Sequence, residues 1–439
     1  MKFSNLPISL TDMSAPVIGI ASRTQTPKGL RLHIGLFGRR NAGKSSLINA
    51  LTNQKIAIVS DVPGTTTDPV EKACELAPIG PVVFIDTAGV DDVGELGGLR
   101  TERSLAVLGW VDVALIVCDA KALTESELEL IRTVKSTATP TIVVLNKADT
   151  ADAKELIATQ EQVRSLGYEP VTVCASQKLN IDAVREAIVK LAQNAVEPDL
   201  PLLGDLVHPG DTVMLVTPID TGAPKGRMIL PQVQAIREVL DADAKCIVVR
   251  ENRLAETLTN EKEPPAFVVT DSQVVQSVVA QTPKTIPVTT FSIQMAYSKC
   301  DLVEMARGAA MIDFLRPGDK VMICETCSHH PQPDDIGRKK LPRWLAKKVG
   351  GELDIEVVVG KDFPVDLTPY KLILQCGGCV VTRRHMLTRL AQAKRQNIPM
   401  TNYGVAISHL QGVLERALEL HPKALKAFHE AREIFANHF

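Results

Sequence analysis

RLHIGLFGRRNAGKSSLINALT, residues 31–52, reads as a short apolar strand, a glycine loop and the start of a helix. Within it Gly38-Arg39-Arg40-Asn41-Ala42-Gly43-Lys44-Ser45 fits G-x-x-x-x-G-K-[ST]. Glycines let backbone N–H groups close around a β-phosphate, and the helix N-terminus adds a positive dipole. Lys44 can bridge β- and γ-phosphates, and the Ser45 hydroxyl can ligate Mg²⁺. Gly38, Asn41, Ala42, Gly43, Lys44, Ser45 and Ser46 are therefore the expected phosphate-binding set, with Lys44 acting directly on the reacting phosphates.

Further elements follow in order, each at the end of an apolar run. After 82–85 comes Asp86-Thr87-Ala88-Gly89. An acid at a strand end can hold Mg²⁺ through water, and the Gly89 N–H can sense a γ-phosphate. After 141–145 comes Asn146-Lys147-Ala148-Asp149. The Asp149 carboxylate can accept both N–H groups on one edge of guanine, a donor pair that adenine lacks. Cys174-Ala175-Ser176 follows another strand and would present Ala175 and Ser176 backbone to the base. Residues 181–195 carry Ile181, Val184, Ile188 and Leu191 on one helical face. Strands alternating with helices predict a doubly wound α/β sheet over 31–196, with GTP at its carboxyl edge.

The length of 439 residues suggests about three domains, and 45% hydrophobic content is ordinary for a globular chain. A formal net charge of -2 and 4% aromatic residues count against a nucleic-acid partner. Residues 1–30 lack an apolar core of signal-peptide length and are expected to be a flexible segment. No run approaches the roughly 18 apolar residues of a membrane span. The expectation is a cytoplasmic protein with no membrane partner, in which clustered cysteines are metal ligands or redox groups.

Residues 197–211 contain Pro198, Pro201, Pro209 and two glycines and read as a linker. A second strand–helix alternation occupies 212–292, a small α/β unit whose expected role is dimerisation. The third domain, 293–439, carries CETCSHH (324–330) and QCGGC (375–379), both expected near carboxyl ends of strands. Three readings of these cysteines stand side by side. A zinc module would use Cys324, Cys327, Cys376 and Cys379, although the gap between pairs far exceeds the usual 15–20 or so residues. A redox dithiol would use CGGC at a helix start and leave the other pair idle. An iron–sulfur site would take three thiolates and one weaker ligand.

The four ordered motifs resemble the TrmE/Era-like GTPases, and SDVPGTTTDPV (60–70) is similar to that group's GTTRD segment. The resemblance implies that Thr66 ligates Mg²⁺ in the triphosphate state and acts in catalysis, its neighbour Thr65 being the weaker choice. Val90 stands where Ras-type enzymes orient water with glutamine, so another device is needed. In the similar potassium-dependent members an asparagine of the glycine loop holds K⁺ against the phosphates, and Asn41 occupies that place.

A GTPase domain followed by CSHH and CGGC resembles, over nearly the whole chain, the HydF family of [FeFe]-hydrogenase maturation proteins. That family's pattern is CxH, a long spacer and HCxxC. Cys327-Ser328-His329 matches the first part, and Cys376 and Cys379 the last, while Gln375 stands where many members have histidine. The resemblance implies a [4Fe-4S] cluster on Cys327, Cys376 and Cys379. The fourth position falls to His329, to Asp334 or Asp335, or to an external ligand, and Cys324 is a bystander. It further implies a carrier that receives a transient diiron precursor and passes it to apo-[FeFe]-hydrogenase, in company with two radical-SAM maturation enzymes; separately, the middle domain is expected to make a homodimer. The alternative from another class is an RNA- or ribosome-associated GTPase with a structural zinc module.

Overall fold

The computed structural model describes residues 26–52, 69–87, 106–137, 139–195, 200–219, 228–326, 335–360 and 362–437. The expectations for Thr65, Thr66, Gly89, Val90, Cys327, His329 and Asp334 lie outside the described residues.

The amino-terminal domain is built on a six-stranded sheet. Its strands are β1 (Leu32–Phe37), β2 (Val70–Leu76), β3 (Gly80–Asp86), β4 (Val113–Asp119), β5 (Thr141–Asn146) and β6 (Val171–Thr172), in the order β2-β3-β1-β4-β5-β6. Only β2 is antiparallel. β4 is buried at every position and β5 at all but its first, as central parallel strands covered on both faces must be. Edge strand β2 is mostly half-exposed. Among the described residues, helices α1 (Lys44–Thr52), α2 (Glu125–Ser136), α3 (Ala153–Ser165) and α4 (Ile181–Ala195) cover the sheet. Capping boxes start α2 (Thr124 with Glu127) and α3 (Asp152 with Glu155), satisfying amide groups that a helix start leaves open. Leu47, Ile48, Val184 and Ile188 pack on one face of the sheet, and Leu130, Ile131, Val134 and Val163 on the other.

The middle domain repeats the rule on a smaller scale. Strands β7 (Thr212–Val216), β8 (Lys245–Val249), β9 (Phe267–Thr270) and β10 (Val288–Thr290) form an all-parallel sheet in the order β10-β9-β7-β8. Helices α5 (Leu230–Asp241), α6 (Leu254–Asn260) and α7 (Val275–Gln281) make the crossovers. Leu202, Leu203 and Val207, within the stretch expected to be a linker, pack into the core of this domain. Helix α8 (Phe291–Lys299) spans the boundary expected at 292/293 and serves both neighbours. Phe291 and Met295 enter the middle core, while Ile293 and Ala296 enter the next one.

The third domain has helix α9 (Leu302–Ala310), then strands β11 (Lys320–Glu325), β12 (Asp354–Val359), β13 (Leu372–Gln375) and β14 (Met400–Asn402) in the parallel order β12-β11-β13-β14. Helices α10 (Leu341–Val349), α11 (Arg383–Arg395), α12 (Tyr403–Leu410), α13 (Leu414–Ala417) and α14 (Pro422–Ala436) complete it. Cys324 pairs in register with Gln375, and Gln375 with Asn402. Cys324 therefore lies inside β11, not beyond its end, and is fully buried in the core.

The first and third domains touch directly. Trp110 stacks on His385 of α11 at 6.4 Å, with His33 of β1 edge-on to Trp110 at 6.2 Å. The Arg384 guanidinium donates to Thr139 Oγ1 at 2.9 Å. Lys28–Leu30, the end of the segment expected to be flexible, forms a 3-10 turn. A Cβ on Gly29 would lie 2.6 Å from the Cys379 carbonyl oxygen, so only glycine fits that approach unshifted. Buried Lys299 donates to the Gly29 carbonyl at 2.6 Å.

His421 bridges the second and third domains, bonding Gln294 of α8 at 3.0 Å and packing on the Tyr297 ring. Burial pushes its imidazole down to about 4. A depressed folded-state value means that the unfolded chain binds the proton first as pH falls. This contribution to stability is complete above about 6.5 and is lost as pH falls through about 4. Urea melts across that window should show a steeper acid loss in the wild type than in His421→Gln; identical slopes would contradict the assignment.

Candidate functional site

The glycine loop leaves β1 and turns into α1 through three left-handed or otherwise unusual residues. Gly38 has φ 142°, Asn41 φ 60° and Gly43 φ 94°. A Cβ on Gly43 would meet Asn146 Nδ2 at 2.2 Å, so the loop lies against the Asn146 side chain. Asn146 is buried and ties motifs together: its Nδ2 donates to the Ala42 carbonyl at 2.9 Å, and its Oδ1 accepts from the Ala175 amide at 3.0 Å. Asn146 and the Ala175 amide, expected at the base, thus hold the phosphate loop and the Cys174–Ser176 loop in register.

Buried Lys44 turns back over the loop and donates to the carbonyls of Gly38 (2.9 Å) and Arg39 (3.0 Å). Ser45 Oγ donates to Asp86 Oδ2 at 2.8 Å. Asp86 Oδ1 is buried and makes no hydrogen bond among the described residues. Burial raises the Asp86 carboxyl above its ordinary value, against the opposing Ser45 hydrogen bond and Lys44 charge. A hydroxyl oxygen beside a carboxylate with an unused oxygen suits Mg²⁺, which takes oxygen ligands.

The base end is set by Asp149. Its carboxylate is aimed by the Cys174 thiol at 3.0 Å and the Gln177 amide at 3.2 Å. Lys147, in the left-handed conformation, reaches Asp119 Oδ2 at 3.3 Å, and Arg39 reaches the same oxygen at 3.2 Å. Burial alone would raise the Asp119 carboxyl; the Lys121 amide, Lys147 and Arg39 outweigh it and hold it low. Asp119 was not among the sequence candidates, though an acid closing a buried strand is the same signal as Asp86. Arg40, Asn41, Ser46, Thr150 and Ser176 help to line one cleft of about 620 Å³ with the loop, Asp86 and Asp149.

A second group of side chains gathers at the carboxyl edge of the third sheet. Cys376 follows β13 directly, and its Sγ accepts from Thr326 N at 3.2 Å, with Thr326 Oγ1 at 3.1 Å. Thr326 is the residue before Cys327. Cys379 is half-buried four residues before α11, and burial pushes its thiol up to about 11. Burial likewise pushes Cys324 up to about 12. Asp335 spends one oxygen capping the turn at Arg338 N, at 2.9 Å. Among the described residues no three metal-ligating side chains converge. The arginines after Cys379 hold the fold: Arg383 donates to the carbonyls of Ser298 and Cys300, and Arg384 to Thr139. Thr326, Lys299 and Arg389 near the pair were not sequence candidates. Arg389 was legible in principle, because it falls three residues after Met386 on the buried stripe of α11.

Comparison with known proteins agrees with this division. Residues 33–147 match a family described as 50S ribosome-binding GTPase, 202–300 the hydrogen maturase F dimerization domain, and 303–420 the hydrogen maturase F tetramerization domain. Similar curated proteins include the tRNA modification GTPase MnmE of Trichormus variabilis, 38% identical over 167 residues, covering 37% of this chain and 34% of that one. GTPase Der of Wolinella succinogenes is 35% identical over 172 residues, covering 37% of this chain and 36% of that one. The chain thus spans about a third of the length of these relatives. Among solved structures, a single-residue variant of Aquifex aeolicus Era bound to GDP·AlF₄⁻ is 21% identical, covering 50% of this chain and 92% of that one, with a TM-score of 0.33. The first domain is a P-loop GTPase domain. Among the described residues no helix is long and apolar enough to cross a membrane.

If Asp149 reads guanine, Asp149→Ala removes the acceptor for two N–H groups and leaves the phosphate loop intact. GTP affinity should fall by at least about tenfold and the preference over ATP should vanish in a competition titration. An unchanged GTP/ATP ratio would rule the role out.

Proposed function

The chain belongs to the hydrogen maturase F family, and from that premise we propose a GTP-hydrolysing carrier in hydrogenase maturation. It holds a [4Fe-4S] cluster on Cys327, Cys376 and Cys379. The cargo is a diiron precursor, handed on to an apo-[FeFe]-hydrogenase, with two radical-SAM maturation enzymes as further partners. The observation that carries the reading is the contact of Thr326 with Cys376 Sγ. Cys327 is the next residue in the chain after Thr326. A backbone N–H and a hydroxyl already face the Cys376 sulfur. Thiolates are soft ligands that suit iron–sulfur clusters, and N–H groups aimed at sulfur tune them. When bound, the cluster supplies an iron with an exchangeable position, for which His329 is the first candidate and Asp334 or Asp335 the next.

The nucleotide site does separate work. Ser45 and Thr66 would ligate Mg²⁺, Asp86 would hold it through water, Lys44 would draw charge from the β- and γ-phosphates, and the Gly89 amide would read the γ-phosphate. Asn41 would offer a side-chain oxygen to K⁺, whose charge would take the place of an arginine finger, and hydrolysis would then be slow and stimulated by K⁺. The Trp110–His385 stack links this domain to the helix that follows Cys379 and supports the view that GTP acts as a switch on the second site. Residues 202–300 make the dimer. β8 is an edge strand of its sheet and Val248 on it is exposed, which suits pairing with a second copy. The cytoplasm, with its reduced thiols, is the proposed compartment. The RNA-associated alternative draws on the relatives of residues 33–147 alone, whereas 202–300 and 303–420 match hydrogen maturase F.

Anaerobic reconstitution with ferrous iron and sulfide should give a brown protein with the EPR signal of a reduced [4Fe-4S] cluster. Cys327→Ala, Cys376→Ala and Cys379→Ala should each lose most of it, His329→Ala should alter its shape, and Cys324→Ala should leave it unchanged. A colourless protein with one tightly held zinc per chain would replace this reading with the zinc module. GTP hydrolysis should run faster in K⁺ than in Na⁺ buffer, and Asn41→Ala should erase the difference; equal rates in the wild type would remove K⁺ from the mechanism.

A further inference from the structure

Behind the cysteine pair lies a guanidinium that the proposed function does not use. Arg389 is 3% exposed. Its hydrogen bonds among the described residues go to neutral oxygens: Gln375 Oε1 at 3.0 Å, the Gly360 carbonyl at 2.9 Å and the Asp362 carbonyl at 3.3 Å. Its Nε has no hydrogen-bond partner there, and the guanidinium carbon stands 5.0 Å over the Phe363 ring. Burying a cation is expensive, and nearby negative charge offsets the cost; the Asp362 carboxylate supplies part of it, and the Cys376 sulfur lies within the same field. Gln375 is itself fully buried, and its amide nitrogen faces Cys376 Sγ at 3.5 Å and the carbonyls of Cys324 and Cys376 at 3.4 Å each. Arg389 fixes which way this amide points, because a guanidinium can only donate and so must face the amide oxygen. The N–H end is then left for the sulfur.

We propose that Arg389 is a positioning residue for the metal group on Cys376: it aims the Gln375 N–H at the sulfur and supplies buried positive charge that favours an anionic, thiolate-bound group. The inference rests on the cluster reading above. Lys299, 1% exposed, adds a second buried cation whose field reaches Cys379. The two cations come from different helices, α8 and α11. Buried positive charge of this kind favours a thiolate-bound group of net negative charge and, for a cluster, its reduced state.

The test is an EPR-monitored redox titration of the full chain reconstituted with ferrous iron and sulfide, comparing the wild type with Arg389→Met, Arg389→Lys and Gln375→Leu. Losing the positive charge disfavours the reduced, more negative cluster. In Arg389→Met the reduced-to-oxidised ratio at fixed potential should fall about tenfold, a midpoint about 59 mV lower for one electron. Arg389→Lys should recover part of the shift, since it keeps the charge without the planar fork. Gln375→Leu should move it the same way by less. If Arg389→Met does not fold, Gln375→Leu decides, because it leaves the arginine in place. Cluster-loaded variants with the wild-type midpoint would overturn the positioning role alone. A wild-type chain that binds zinc and takes up no cluster would overturn the cluster reading, and this inference with it.

Discussion

Parallel strands cannot be joined by a hairpin, so each must be followed by a crossover before the chain can pair again. Every strand of such a sheet then ends on the same side, and ligands collect at that edge. This constraint governs all three domains. In the first it brings the loops after β1, β3, β5 and β6 together around one cleft. In the third it places Cys376, after β13, against Thr326, after β11. The two candidate sites are built the same way from different chemistry: one edge presents hard oxygens and backbone N–H groups, the other soft sulfur.

On the function proposed above, both edges would solve the same electrostatic problem, which is to hold negative charge out of bulk water. At the nucleotide cleft the means are the amides of the glycine loop, the start of α1 and Lys44. At the cysteine edge they are the Thr326 amide, the Gln375 amide and the buried cations Arg389 and Lys299. Each edge also has a side chain that keeps its loops in register: Asn146 bonds two loops at once in the first domain, and Gln375 bonds Arg389 and the Cys324 carbonyl in the third. The first and third domains meet at Trp110, His385 and the Gly29 approach to Cys379.

Much of the first domain was legible because the chemistry of phosphate binding dictates residue types at fixed spacing. Gly38, Gly43 and Lys44 can hardly be arranged otherwise. The strands and helices around them follow from unbroken apolar runs and from caps such as Thr124 with Glu127. The third domain was legible only in part. Cys324 looked like half of a second CxxC pair, but strand register points it into the core, and register is not visible without the partner strand. Strand β14 is three residues long and carries no periodic signal. Arg383 and Arg384 stand four and five residues after Cys379, and only the structure shows that carbonyls and Thr139 occupy them. The contact between domains was beyond sequence reasoning altogether, since Thr382 and Trp110 meet across 272 positions. Asn146 shows the opposite case: its type was expected from the motif, but its work of bonding two loops is set by tertiary geometry.

In the function proposed here, one chain joins a nucleotide switch to a thiolate metal site through a direct contact. Trp110 lies in that contact, and the chain has one other tryptophan, Trp344. The most direct measurement is therefore Trp110 fluorescence in a full-length Trp344→Phe chain, with GDP and then with a non-hydrolysable GTP analogue. Coupling through the contact predicts a reproducible change in emission between the two nucleotides that disappears in a His385→Ala background. Identical emission with both nucleotides, at saturating concentrations, would contradict it.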